Sequence, residues 1–319
     1  MPSEKGKAII RSLHLELPAT SANLGPAFDA AALAFDLYLK IRARSSTDFA
    51  IEATGRDTDI CGRLESHLIL ETYRDVLHSE GKKPEPLALH IQNDFPIGKG
   101  FGSSAAARVA GIAMAVHFGK LKWSDERIVG EASRREHHPD NASACWMGGL
   151  SVARMDGSGD AQVASLKPKG KWPLLLVVPN ETLSTEEARR VLPAQYSRAD
   201  AVTNIQNSML LLAAFVQGRP ALLQGALDDR IHQPYRGPLC PLLPELKKLT
   251  GTGGILGVAL SGAGPSVLVF IDPKASQKSV QASVTRHIAS AGLSAEMIST
   301  RISLRGGRDG RGWRNRKAR

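Results

Sequence analysis

Residues 96–107 read Pro-Ile-Gly-Lys-Gly-Phe-Gly-Ser-Ser-Ala-Ala-Ala. Gly98, Gly100 and Gly102 alternate with other residues, and glycine admits positive φ and lets a ligand approach where a Cβ would stand in the way. Ser103 and Ser104 then lead into an alanine-rich run whose composition predicts a helix over 103–118. The first amides of a helix have no intrahelical partners and sit at the positive end of its dipole, which suits an anion and above all a phosphate. Taken alone, the three glycines also fit a plain turn before a helix. A Walker A loop is excluded because no Gly-Lys-Ser/Thr follows at the required spacing. The Lys, His-Arg-Asp and Asp-Phe-Gly elements that accompany the protein-kinase glycine loop are missing, and no βαβ unit opens the chain as a dinucleotide fold would require.

Other residues could act beside such a loop. Asn23, Asp29, Asp140 and Asn141 are polar side chains in turn-like settings, where functional residues are commonly carried. Asp140 and Asn141 fit a simple helix cap as well. Ser103 or Ser104 could both cap the helix and offer an oxygen to magnesium. The three cysteines, Cys61, Cys145 and Cys240, are scattered and give neither a disulfide framework nor a zinc spacing, so a reducing cytoplasm is expected. No apolar run approaches the roughly 20 residues of a membrane span. The polar start at 1–7 is followed by no signal-peptide core, so export is not expected. Of the net charge of +10, six Arg and one Lys against one Asp lie from Arg305 onward. That places most of the basicity in a Gly/Arg-rich end, expected to be disordered, that could touch nucleic acid only nonspecifically.

The 319 residues, 42% hydrophobic and 23% charged, suffice for two ordinary domains. Alternation predicts a strand over 8–17, broken by the turn formers of 18–26, then strands over 30–43 and 49–53. A helix over 64–78 and a strand over 87–92 deliver the chain to the glycine loop. Ser124 caps a helix over 124–135, residues 137–141 interrupt, and Gly148-Gly149 opens a strand to 154. Residues 156–170 read as a hairpin and connection. A buried strand at 174–178 precedes helices over 184–191, 198–216 and 220–226. Strands at 255–260 and 267–271 flank a second glycine turn, a helix covers 275–290, and a strand covers 295–302. Strands and helices mix without regular alternation, so the fold class is α+β.

Four stretches carry a family resemblance. Pro96-Ile-Gly-Lys-Gly-Phe-Gly-Ser-Ser-Ala-Ala-Ala107 resembles the phosphate loop of the GHMP small-molecule kinases. Pro18-Ala-Thr-Ser-Ala-Asn-Leu-Gly-Pro-Ala-Phe-Asp29 resembles the first motif of the homoserine kinase branch of that family, as does His138-Pro-Asp-Asn141. Ser261-Gly-Ala-Gly-Pro-Ser266 resembles the third family motif. The resemblance implies an N-terminal ATP-binding domain over 8–166 with a fold like domain 2 of ribosomal protein S5. A ferredoxin-like domain follows over 172–303, and a basic tail over 304–319. It implies phosphoryl transfer from ATP, with Mg2+, to the hydroxyl of L-homoserine in threonine biosynthesis. Another small alcohol as substrate, or a nucleotide sensor without turnover, are the other readings. Neither a membrane nor a specific nucleic acid is an expected partner, and a homodimer is left open.

By the same resemblance, Pro96, Ile97, Gly98, Lys99, Gly100, Phe101, Gly102, Ser103, Ser104 and Ala105 bind the ATP phosphates, and Ser104 and Glu131 hold the metal, with Glu136 nearby. Asp29 and Asp140 face the substrate ammonium, Asn23 and Asn141 orient the substrate, and His138 donates a hydrogen bond. Leu183-Ser-Thr-Glu-Glu-Ala-Arg189 and the segment ending His232-Gln-Pro-Tyr-Arg236 resemble family segments that clamp the carboxylate, a task suited to planar guanidinium. Thr185 lies one helical turn before Arg189 and shares its face. Asn141 stands where relatives can carry an aspartate base, so the hydroxyl proton could pass to the phosphate. Four departures from the family pattern stand out: Phe101 for Leu, Ala27 for Gly, the 142–147 stretch, and Ser66-His67 near the expected adenine site.

Overall fold

The computed structural model describes residues 11–157 and 159–309, so the expected strand start at 8–10 and the tail residues 310–319 lie outside the described residues. The N-terminal half opens with β1 (Ser12–Asn23), β2 (Ala27–Ser45), β3 (Ala50–Gly55), α1 (Thr58–Cys61), α2 (Leu68–Ser79) and β4 (Leu87–Asn93). It continues through α3 (Ser103–Phe118), α4 (Asp125–Glu136) and α5 (Asp140–Met147) to β5 (Leu150–Met155) and β6 (Ala161–Leu166). The C-terminal half holds β7 (Pro173–Val178), α6 (Thr185–Arg190), α7 (Arg198–Gln217), α8 (Leu223–Ala226), α9 (Gln233–Arg236) and α10 (Leu242–Lys247). It ends with β8 (Ile255–Leu260), β9 (Val267–Ile271), α11 (Gln277–Ser290) and β10 (Glu296–Arg301).

The 19-residue β2 is the hub of a six-stranded sheet. It pairs β1 along one edge and, along the other, β5 through 31–33 and β4 through 39–45. Leu13, Leu15 and Leu17 of β1 are buried and alternate with half-exposed His14 and Glu16, as a sheet with one covered face requires. The covering layer is helical. Within it α3 is apolar nearly all round and buried along most of its length, the mark of a central helix.

β1 departs from expectation. It does not stop at Pro18 but runs to Asn23, with register shifts at Pro18/Thr20 and Ala22/Asn23. Thr20, Ser21 and Ala22 pair with Ala34, Leu33 and Ala32. Ala22, Ala32 and Ala34 pack on Ala144 of α5, so small side chains let that helix lie close. Ladder pairing supplied by β2 overrides the local turn preference. Helix α2 starts at Leu68, later than the periodicity suggested, and α5 fills a stretch that carried no assignment.

The second sheet has the order β10-β7-β9-β8 with antiparallel pairs. Counted from β7 this is 4-1-3-2, the split βαβ arrangement of a ferredoxin-like domain. Leu174, Leu176 and Val178 of β7 face the main core with Phe215 of α7, while Leu175 and Val177 face α10 and α11. The main core therefore runs through both halves of the chain, and packing fixes the cleft between them. Residues 305–309, expected in the disordered tail, are instead seated. Gly307 lies against Leu17 and Trp146, and Arg305 pairs with Glu16 at 2.9 Å, so small size and charge compensation dock the segment. Among the described residues no helix is long and apolar enough to cross a membrane.

Candidate active site

The glycine loop leaves β4 and enters α3 with Gly98, Gly100 and Gly102 at φ of 72°, 83° and 68°. Two of these positions have no room for a side chain. A Cβ at Gly100 would stand 2.2 Å from the Ser261 carbonyl oxygen, and one at Gly102 would stand 2.0 Å from Thr20 Oγ1. The loop is thus clamped between β1 and the 261–266 turn. The Thr20 amide donates to the Phe101 carbonyl at 2.9 Å, and Ser261 Oγ donates to the Gly100 carbonyl at 2.6 Å and lies 3.0 Å from Ser21 Oγ. Asn23 ties the same elements together: Nδ2 donates to the Gly262 carbonyl at 2.8 Å and Oδ1 accepts from the Asp29 amide at 3.0 Å.

A cleft of about 200 Å3 opens beside this clamp, lined by Gly98, Gly100, Gly102, Ser103, Ser104 and Gly262 on the loop side. Across from them stand Asn23, Asp29, His138, Asp140, Asn141, Thr185, Arg189 and Arg236. Polar atoms of Asp29, His138 and Asp140 lie within 4.8 Å of one another. Asp140 is buried at the first turn of α5, where Oδ1 accepts from the Asn141 amide at 2.6 Å and pairs with His138 Nδ1 at 2.7 Å. Burial disfavours the His138 imidazolium, but the hydrogen bond and charge of Asp140, with Asp29 behind it, outweigh burial and raise its pKa above the usual histidine value. Asn141 Oδ1 accepts from Thr20 Oγ1 at 2.7 Å, which leaves the amide nitrogen to face a ligand.

Two guanidiniums form the other wall. Arg189 Nη2 pairs with Asp29 Oδ1 at 2.6 Å, and Thr185, one turn earlier on α6, lines the same cleft. Arg236 is only 1% exposed. Its Nε donates to the Ala188 carbonyl at 2.9 Å, and Nη1 lies 3.2 Å from His232 Nδ1. His232 Nε2 is 2.8 Å from the Gly25 carbonyl, and burial holds the ring well below its usual pKa, so it is neutral. Nε2 then donates to the carbonyl and Nδ1 accepts from Arg236. Both Arg236 partners are neutral, and its charge remains available to an anion in the cleft. Burial and the neighbouring Arg189 bring the Arg236 pKa down to about 10, still cationic at neutral pH. Both guanidinium carbons sit over the Phe28 ring, at 5.4 Å for Arg189 and 5.3 Å for Arg236.

Several sequence expectations land elsewhere. Glu131 does not reach Ser104. It accepts from Arg134 and, at 2.7 Å, from Arg135. Burial pushes its carboxyl up, but the two arginines outweigh burial and hold its pKa below the usual range. The acid that meets Ser104 is Glu136, whose Oε1 accepts from Ser104 Oγ at 2.6 Å and from Arg108 Nε at 2.6 Å. Five residues along a helix turn the side chain by about 140°, so the two glutamates cannot serve the same side of α4. Phe101 is buried against Phe95 with ring centroids 6.2 Å apart, Pro96 and Ala105 are buried too, and the Lys99 ammonium is turned onto carbonyls beyond β7. Thr20 and Ser184 also belong to the site, and both lie inside the family-like segments 18–29 and 183–189, while the helical phase of α4 selects Glu136 over Glu131.

A second, largely apolar cavity of about 410 Å3 adjoins the cleft and shares Gly98, Ser103 and Ser104 with it. Its walls include Leu39, Ile60, Ile91, Phe95, Ile97 and His67.

Residues 67–149 match the GHMP kinases N terminal domain, and residues 211–290 match the GHMP kinases C terminal domain. The chain is 45% identical over 261 residues to a homoserine kinase of Solibacter usitatus, covering 81% of this chain and 85% of that one. It is 35% identical over 296 residues to a homoserine kinase of Deinococcus radiodurans, covering 93% and 96%. Its fold is similar to the crystal structure of homoserine kinase from Cytophaga hutchinsonii, with a TM-score of 0.77 at 24% identity over 96% of this chain and 98% of that one. A mevalonate kinase of L. major in complex with R-mevalonate is similar in fold at a TM-score of 0.67 and 15% identity, over 91% and 95%.

The raised His138 pKa has a pH signature. The charged pair with Asp140 stabilises the fold fully below the unfolded histidine value, and that contribution is lost as pH rises through the folded value. The stability deficit of His138→Asn in urea unfolding is therefore expected to be larger at about pH 5.5 than at about pH 8.5. A deficit that grows with pH would show that the imidazole is not held charged by Asp140.

Proposed function

The chain belongs to the homoserine kinases of the GHMP kinase family, and on that premise we propose which of its residues carry the reaction. It transfers the γ-phosphoryl group of ATP to the hydroxyl of L-homoserine, giving ADP and O-phospho-L-homoserine, a step of threonine biosynthesis. One observation supports the site assignment most: an apolar cavity and a polar cleft meet at Gly98, Ser103 and Ser104. The base lies on the apolar side, the phosphates follow the glycine loop to the amides that open α3, and the amino-acid alcohol sits in the cleft. The three buried, unpaired cysteines suit the cytoplasmic setting proposed for it.

Homoserine needs an anionic site for its ammonium, cations for its carboxylate and a polar group for its hydroxyl. Asp29 and Asp140 take the ammonium, with His138 donating beside them from the ring nitrogen that Asp140 leaves free. Arg189 and Arg236 take the carboxylate, which also relieves the mutual repulsion of two guanidiniums over one ring. Asn23 spends both ends of its amide on Gly262 and Asp29, so it orients the acid that meets the substrate. Asn141 directs the hydroxyl through its amide nitrogen, and Thr185 adds a hydroxyl from α6.

Transfer is in line, and the protein contributes position and charge stabilisation more than covalent chemistry. Asn141 is an amide and takes no proton, so the hydroxyl proton passes to an oxygen of the transferred phosphoryl group. Magnesium takes hard oxygen ligands and keeps several waters, and the Ser104 hydroxyl and Glu136 carboxylate, already together at the head of α3, fit that chemistry. Bound there, the ion supplies neutralisation of phosphate charge.

ADP release measured with L-homoserine, mevalonate and galactose tests the assignment. Turnover is expected with homoserine alone, and turnover confined to either of the others would remove it. Glu136→Gln is expected to lower activity by about 10–100-fold at fixed magnesium and to raise the magnesium needed, while Glu131→Gln stays near the parent enzyme. The reverse ranking would return the metal to Glu131.

A further inference from the structure

Lys99 lies at the crest of the glycine loop, between Gly98 and Gly100, where a cation would be expected to meet phosphate. Its ammonium is directed elsewhere. Nζ donates to the carbonyls of Pro179 at 3.0 Å and Glu181 at 2.6 Å, and to that of Asn180. A lysine ammonium has three N–H donors and no acceptor, so these three carbonyls account for all of them. The acceptors belong to the segment that leaves β7 and leads into α6, and Lys99 is not among the residues that line the cleft.

That segment lies over the loop. The Thr182 methyl group comes within 4.0 Å of where a Gly98 Cβ would stand, and Leu183 and Ser184 line the cleft. Ser184 Oγ caps α6 by accepting from the Glu187 amide at 3.0 Å. Thr185 and Arg189 project from that helix into the cleft.

We propose that Lys99 is a positioning residue, a clasp that fixes α6, and with it Thr185 and Arg189, onto the nucleotide loop instead of binding phosphate. The inference rests on reading the cleft as the homoserine kinase site. Its consequence is that the loop seating the nucleotide and the helix clamping the substrate carboxylate move as one body. An arginine in place of Lys99 can still bridge two of the carbonyls through its planar fork, whereas a methionine keeps the stem and donates nothing.

Lys99→Met separates the two roles. Under the clasp, KM for homoserine rises and kcat falls, with kcat/KM lower by about 10–100-fold. The Kd for a fluorescent ADP analogue stays within about twofold of the parent, since a residue that does not touch phosphate should not move it. Hydrogen exchange at the amides of 182–190 becomes faster, and Lys99→Arg recovers most of both properties. Weakened ADP binding with unchanged exchange would make Lys99 a phosphate ligand and overturn the proposal. Unchanged kinetics and exchange would overturn it as well. If the parent enzyme fails to phosphorylate homoserine, the functional reading falls by itself, and the exchange comparison still decides whether the clasp exists.

Discussion

The site depends on two positions where a side chain cannot exist. At Gly100 and Gly102 the loop backbone is pressed against the Ser261 carbonyl and the Thr20 hydroxyl, closer than any Cβ tolerates. That contact joins three stretches far apart in sequence: β1 from the first motif, the loop before α3, and the turn before β9. Once joined, their polar groups satisfy one another, through Ser261 on Gly100, Thr20 on Phe101 and Asn141, and Asn23 on Gly262 and Asp29. Few groups in this junction are left to be paid for in unmade hydrogen bonds, which leaves the loop amides for the anion proposed to bind there.

The electrostatics follow from that frame. Burying a charge is costly unless it is paired or hydrogen-bonded. Here Asp140 is held by His138 and its own helix, and Arg236 by neutral acceptors. Asp229 makes the second arrangement possible. It accepts from the amides of Ile231, His232 and Gln233, which fixes the turn that places His232 and starts α9. The site thus presents one acidic and one basic wall, the pattern of a zwitterionic amino acid. The apolar cavity alongside differs in character, and in the proposed reading it takes the base of the nucleotide.

Much of this was legible in the sequence, for local reasons. The glycine spacing, the polar turn residues and the arginine-bearing segments report local backbone and chemistry, and the structure brings Asn23, Asp29, His138, Asp140, Asn141, Thr185, Arg189 and Arg236 to one cleft. The alternation along β1 and the run of β7 likewise reported their burial. What was not legible depended on phase or on distant partners. Glu131 and Glu136 both precede the histidine turn, and only the rotation of α4 separates them. The direction of the Lys99 stem is set by carbonyls some eighty residues further along the chain. The extension of β1 past Pro18 needed β2 beside it, and the seating of 305–309 needed Glu16, Leu17 and Trp146.

The most direct measurement is nucleotide titration of Gly100→Ala alongside the parent enzyme, with far-UV circular dichroism to check that both are folded. A methyl group there would collide with the Ser261 carbonyl at a φ of 83°, so the loop must leave its clamp. Affinity for an ATP analogue is expected to fall about a hundredfold or more while the spectrum is retained. A folded Gly100→Ala enzyme that binds the analogue as tightly as the parent would contradict the account.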